Sequence, residues 1–273
     1  EDMAALMTSV IDNPGKVAEY IYSCRQMGIK ILPPDINHGY SSFSVDNGSI
    51  RYGLAAIKSI GRPVIKEIVA ERKANGEFKN LKDFIERMSG KDINKRTIEN
   101  FIKSGAFDEL GGTRKQFMVI YVQILDQVNR EKKNSMTGQM SLFDIVGEEQ
   151  KSEFDIPLPN VGEYEKSTKL AFEKEVLGIY LSGHPMEEYE EQWRKGISKT
   201  TQDFQFDEEL GFSRVSDGAA EIIGGIIASK TIKYTKNNKT MCFLTIEDIM
   251  GSVEVVVFPR DYERYHQYLE EEN

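Results

Sequence analysis

The run Leu54-Ala55-Ala56-Ile57-Lys58-Ser59-Ile60-Gly61-Arg62-Pro63-Val64-Ile65-Lys66-Glu67-Ile68 decides how this chain is read. A helical stretch ends near Ile57, Ile60 anchors a tight turn, and Gly61 opens a second helix. Pro63 suits the first turn of that helix, where a missing N–H costs little. The first N–H groups of a helix have no intrahelical carbonyl to bond, so they can point outward and hold a phosphate. Lys58 and Arg62 flank the turn. A second copy follows at Ile98-Glu99-Asn100-Phe101-Ile102-Lys103-Ser104-Gly105-Ala106-Phe107.

Both copies lie in a basic part of an acidic chain. The 273 residues carry a net charge of −9, yet residues 51–137 hold 18 Lys and Arg against 11 Asp and Glu. Residues 1–137 sum to +4 and residues 138–273 to −13. A local cationic patch can bind a polyanion despite overall repulsion. Solvated lysine-bearing helix faces are the plain alternative, and charge alone does not choose between them. The turn between helices resembles the helix-hairpin-helix motif, which holds DNA backbones without reading sequence. Its usual form has glycine two residues before Gly61, where Ser59 stands here. Either copy alone is more often a corner where helices pack. Two copies in one basic window shift the balance toward DNA, through Lys58, Ile60, Gly61, Arg62, Lys103, Ser104 and Gly105.

Working outward, Ala4, Ala5, Val10, Val17, Ile21 and Met27 surround Asp12-Asn13-Pro14-Gly15, which predicts helix, turn, helix over residues 1–28. Pro33-Pro34-Asp35 ends that region. Phe43–Val45 and Ile50–Leu54 are strand-like, with Asp46-Asn47-Gly48 as a hairpin turn. Short helices are expected from there to Leu125, broken at Gly61, Gly76, Gly90, Gly105 and Gly111-Gly112. Residues 129–162 read as linker. A helix should cover 163–181 with Gly183 just past its end, and another 186–194. The period then changes to two. Ala219–Ser229, Met241–Glu247 and Ser252–Phe258 predict strands, Gly224-Gly225 a bulge in the first, and Pro259–Glu272 a helix. The expected class is multi-domain α+β, mainly helical and then antiparallel.

Two other stretches invite partners. Gln139-Met140-Ser141-Leu142-Phe143 sets a Leu-Phe pair in a polar linker, a candidate anchor for a partner's pocket, with Gln139 fixing register. Folding back onto its own domain is the alternative. The loop Lys230–Lys239 mixes Lys233, Tyr234 and Lys236, a combination suited to single-stranded nucleic acid. A solvated hairpin tip is the plainer reading of it.

Composition excludes several classes. With 40% hydrophobic and 29% charged residues, the chain is neither collagen, nor a rod, nor wholly disordered. Its length fits about two domains. No apolar run nears the ~18 residues of a membrane span. Cys24 and Cys242 are far apart and near no His-rich run, so a disulfide scaffold or zinc site is not indicated, and a reducing compartment fits. His38, His184 and His266 lack ligand spacing, and there is no GxxxxGK[ST] loop or nucleophile elbow. Two-metal chemistry needs closely placed aspartates, whereas Pro34-Asp35-Ile36-Asn37 has one, so Asp35 reads as a turn residue. No catalytic residue or metal ligand is assigned. The chain opens on Glu1-Asp2, already helical, which reads as a piece cut from a longer polypeptide.

The order of these features resembles the C-terminal half of the C-family replicative polymerases, the alpha subunits of bacterial DNA polymerase III. The resemblance rests on Met3–Ser9, Leu32–Asn37, Gly53–Lys58, Ile102–Asp108, Gln139–Phe143, Phe172–Pro185 and Gly251–Pro259 taken together. It implies the end of a fingers domain at 1–36 and a clamp-binding domain with tandem helix-hairpin-helix turns at 37–210. It further implies the first part of an OB-fold at 211–273, a truncated antiparallel barrel. The implied partners are duplex template-primer DNA, single-stranded DNA at the OB-fold, a sliding clamp at Gln139–Phe143 and other replisome subunits, with no membrane. The parent chain is implied to be a cytoplasmic, Mg²⁺-dependent DNA-directed DNA polymerase, its catalytic aspartates upstream, and this segment needs no cofactor. An error-prone relative, or a non-enzymatic DNA-binding or repair scaffold, are the rival readings.

Overall fold

The structure, a computed structural model, describes residues 1–136 and 156–271. They form two compact units, Glu1–Ser182 and Gly183–Asn273.

The first unit opens with α1 (Asp2–Ser9) and α2 (Pro14–Gln26). Asn13 caps α2 by accepting a hydrogen bond from the Lys16 N–H at 3.2 Å, and Pro14 occupies its first turn. Strands β2 (Ser44–Asp46) and β3 (Ser49–Arg51) form the expected hairpin, closed by Asn47 and Gly48 at φ +50° and +79°. A two-residue strand, β1 (Ile31–Leu32), adds to β3 in parallel. It is too short to leave a periodic signal. After a 3₁₀ turn at Leu54–Ala56 come α3 (Arg62–Asn75), α4 (Leu81–Arg87), α5 (Lys95–Ser104) and α6 (Arg114–Met136).

Aromatic side chains bind these helices together. Phe84 meets Phe78, Phe107 and Phe101 edge-on at 4.9, 5.0 and 6.0 Å between ring centroids. Each fully buried ring contributes about 1.5–3 kcal/mol by leaving water, plus a smaller term for the edge-to-face geometry. The segment before the helices joins the same core: Ile36 is buried, its N–H donates to the Ala106 carbonyl, and its carbonyl accepts from Arg72 at 2.9 Å. The residue 36/37 boundary therefore falls within packed interior. Asp35 is a turn residue, its Oδ1 accepting from the N–H groups of Asn37 and His38.

The unit closes with α7 (Lys166–Leu177). It stops earlier than the periodicity suggests. Gly178, at φ +77°, ends it by donating to the Lys174 carbonyl, and a Cβ there would lie 2.7 Å from Pro14. Ile179 and Leu181 then continue the apolar pattern as buried, non-helical residues. Gly183 caps no helix.

The second unit contains α8 (Glu190–Gly196), a small hairpin of β4 (Phe206–Asp207) and β5 (Phe212–Ser213), and a three-stranded antiparallel sheet. Its strands are β6 (Ile226–Tyr234), β7 (Thr240–Asp248) and β8 (Gly251–Val257), followed by α9 (Pro259–Tyr265). Ile227, Cys242 and Leu244 form the core with Val255, Val257, Tyr262 and Leu269 against them. Three antiparallel strands followed by a helix are consistent with a truncated OB-like fold.

Gly224 and Gly225 do not bulge the first strand; they precede it. The Gly224 carbonyl accepts from Trp193 Nε1 at 2.8 Å, and a Cβ on Gly225 would sit 2.5 Å from the Glu247 carbonyl oxygen. These glycines mark close backbone approach. The register irregularity lies between Ile227 and Ser229 instead. Buried Asp248 fixes this same end of the sheet, accepting from the Thr201 N–H and hydroxyl at 2.8 and 2.7 Å.

Candidate nucleic-acid interface

The turn at Gly61 is built from the inside. Ile57 and Ile60 are buried and hold it to the core, while Lys58, Ser59, Gly61, Arg62 and Pro63 face outward. Ser59 adopts φ +64°, a left-handed conformation that glycine takes without strain. Serine thus occupies the geometry the motif usually gives to glycine. The Lys58 main chain is clamped on both sides. Its N–H donates to the Val176 carbonyl at 2.8 Å, and its carbonyl accepts from Asn100 Nδ2 at 2.6 Å.

Gly61 is the N-cap of α3, with no side chain to cap the helix and Pro63 in the first turn. The leading N–H groups are therefore left to solvent or to an anion, beside a cation on either side. Neither Lys58 nor Arg62 has a side-chain partner among the described residues. An exposed positive helix end with free flanking cations is suited to a phosphodiester oxygen and indifferent to base identity.

The second turn differs. Gly105, at φ +88°, closes α5, and the next helix begins nine residues later at Arg114. No helix opens at Gly105. Ser104 is fully buried and its hydroxyl donates to the Phe101 carbonyl; a Cβ on Gly105 would meet Arg114 Nη2 at 2.5 Å. The expected phosphate contacts through Ser104 and Gly105 are thus not available, because protein groups fill the space around them. Lys103 reaches the surface but is occupied: its Nζ lies 3.1 Å from both carboxylate oxygens of Glu175 and 5.2 Å from the centre of the Phe172 ring.

Residues 28–117, the segment holding both turns, match the helix-hairpin-helix motif family. Across the whole chain, the DNA polymerase III subunit alpha of Borreliella burgdorferi is 36% identical over 271 residues, 99% of this chain. Those of Mycobacterium leprae and Escherichia coli K12 are 34% and 33% identical over 97% and 100% of it. Homologues that cover the whole of this chain are thus DNA polymerase III alpha subunits. The chain spans 22–23% of the length of these curated alpha subunits.

The sequence also singles out two sets of residues outside the two turns. Gln139, Met140, Ser141, Leu142 and Phe143 fall outside the described residues. Lys233 and Tyr234 are on β6, not in a loop, because the strand runs on to Tyr234 before the turn that holds Lys236. They pair with Met241 and Thr240, so the two side chains point to opposite faces of the sheet and present no common surface. All three side chains are exposed.

Asn100 is the positioning residue that the sequence conceals. Buried on α5 among Ile98, Phe101 and Ile102, it holds the Lys58 carbonyl and hence the shape of the first turn. Its only sequence signal is a polar side chain at an otherwise apolar helical position.

Proposed function

We propose that this segment holds duplex template-primer DNA by its phosphates for a replicative DNA polymerase, independent of sequence. The observation that carries it is the exposed, unpaired Lys58–Arg62 turn at the open start of α3, within a motif family known for DNA backbones. The parent chain, on this reading, is a cytoplasmic DNA-directed DNA polymerase that transfers nucleotides with Mg²⁺. Among the described residues, no group of three or more His, Cys, Asp or Glu side chains is placed to hold a metal ion. On this reading the metal chemistry belongs to another part of the parent chain.

The same reading assigns Gln139–Phe143 to a sliding clamp, the exposed Tyr234 and Lys236 without Lys233 to single-stranded DNA, and other exposed surface to replisome subunits. The apolar Leu142-Phe143 pair in a polar stretch supports the first, since a preformed pocket can accept both while ordering few residues. Fluorescence anisotropy with unrelated duplex sequences tests the central reading. Equal affinities that fall steeply with salt are expected; tenfold preference for one sequence contradicts it. Titrating the cognate clamp with Leu142→Ala/Phe143→Ala tests the tether, and undiminished binding removes it.

A further inference from the structure

Helix α3 continues for 14 residues from the Gly61 turn, and one exposed flank of it is not neutral. Ile65, Ile68 and Arg72 are buried, which fixes the rotation of the helix. At 100° per residue, Arg62, Lys66 and Lys73 then fall within an arc of about 40° along one exposed flank, roughly at a right angle to the buried side and spread over about 16 Å of axis. All three are exposed. None has a salt-bridge partner among the described residues. The carboxylates of the helix lie elsewhere. Glu67 and Glu71 are on the far side of the stripe, and Glu71 is engaged by Arg87 and Lys91 at 3.0 and 3.4 Å.

The far end of the stripe has a different character from the turn. Tyr40 is 45% exposed, with the Arg72 guanidinium 4.9 Å and Lys73 Nζ 5.8 Å from its ring centre. Arg72 is held in place by its bond to the Ile36 carbonyl. The acidic side chains nearby are engaged within the fold: His38 sits 3.2 Å from both Asp35 and Glu77. Asp35 and Glu77 act electrostatically on Arg72, whereas Lys73 has no carboxylate partner within salt-bridge distance among the described residues.

We infer that this exposed flank of α3 is a second phosphate track, carrying the DNA backbone from the Gly61 turn past Lys66 to Lys73 and Tyr40. It rests on the duplex-binding reading above and extends it to residues outside the motif. Laid parallel to the duplex axis, its length would span about five base steps at ~3.4 Å of axis each. The ligand class is a regular polyanion, since three cations in line match repeated charges and not a single phosphate. Lys73 is oriented by the Tyr40 ring, and Lys66 bridges the interval between Arg62 and Lys73.

The test compares Lys66→Gln/Lys73→Gln, Lys66→Arg/Lys73→Arg and Lys58→Ala/Arg62→Ala in the 273-residue chain, with a 20-base-pair duplex as probe. All four positions are exposed, and unchanged circular dichroism and melting temperature confirm the fold. The Gln pair is expected to flatten the log–log salt dependence by about two, so wild-type affinity falls about tenfold more than the variant's between 50 and 200 mM salt. The Arg pair should behave as wild type. If the Gln pair equals wild type while Lys58→Ala/Arg62→Ala loses affinity, the turn binds DNA and the track is overturned. If no variant differs from wild type, or wild type binds no duplex, the duplex-binding reading fails and the track with it.

Discussion

Arg114 Nη1 lies 3.0 Å from Glu173 Oε2, and both side chains are buried. Arg114 also grips Asp108 with Nε and Nη2, each at 3.0 Å. Glu173 accepts from the Leu181 N–H, the Ser182 N–H and the Ser182 hydroxyl. One ion pair thus ties the start of α6, the second turn and the chain beyond α7 into a single body. Buried charges are costly to desolvate, but these have their hydrogen-bonding capacity met, and removing one partner strands the other.

Glu173→Ala should therefore destabilise the first unit by about 3 kcal/mol or more. Urea denaturation followed by tyrosine fluorescence reads this directly. A loss under 1 kcal/mol would mean that Asp108 alone satisfies Arg114.

Acid should act through Glu71. Hydrogen bonds from Arg87 first, and then Asn75, hold its carboxyl below the usual carboxylate range. Because the folded-state pKa is depressed, the unfolded chain binds the proton more readily. The stabilisation is complete above the unfolded value of about 4.3 and is lost as pH falls through the lower folded value. Glu71→Gln should cost on the order of 1 kcal/mol at pH 7, and the gap from wild type should close below pH 4. A gap independent of pH between 3 and 7 would remove the carboxylate from the explanation.

Glu175 occupies Lys103, the cation that a phosphate at the second turn would need. The carboxylate is 57% exposed, so the pair is worth little to stability, yet it neutralises the one cation the second turn offers. Glu175→Gln should leave the melting temperature nearly unchanged, raise duplex affinity a few-fold and steepen the salt dependence by up to one. Unchanged binding would show that Lys103 stays on the Phe172 ring and never reaches DNA.

What could be read from sequence was local chemistry. Pro63 after Gly61 marks a helix start, and Asn47-Gly48 supplies two positive φ angles for a hairpin, because both depend on the residue itself. What could not be read depends on distant partners. Gly183 reads as the end of α7 until Gly178 is seen closing the helix with Pro14, more than 160 residues away in sequence, against it. Lys103 reads as free until Glu175 closes on it, and Ser104 reads as exposed until α5 is placed in its core. The lysines near Lys230 suggest a loop by composition, whereas pairing with β7 extends the strand to Tyr234. The candidate site was thus legible at the first turn and illegible at the second, where tertiary contacts decide what remains outside.

The most direct test of phosphate binding at the Gly61 turn is the salt dependence of duplex binding by Lys58→Ala/Arg62→Ala against wild type, with stability checked in parallel. The expected result is weaker binding to every sequence tried and a log–log slope shallower by about two, at unchanged melting temperature. Affinity and slope equal to wild type would contradict it and leave the Gly61 turn as a corner where helices pack.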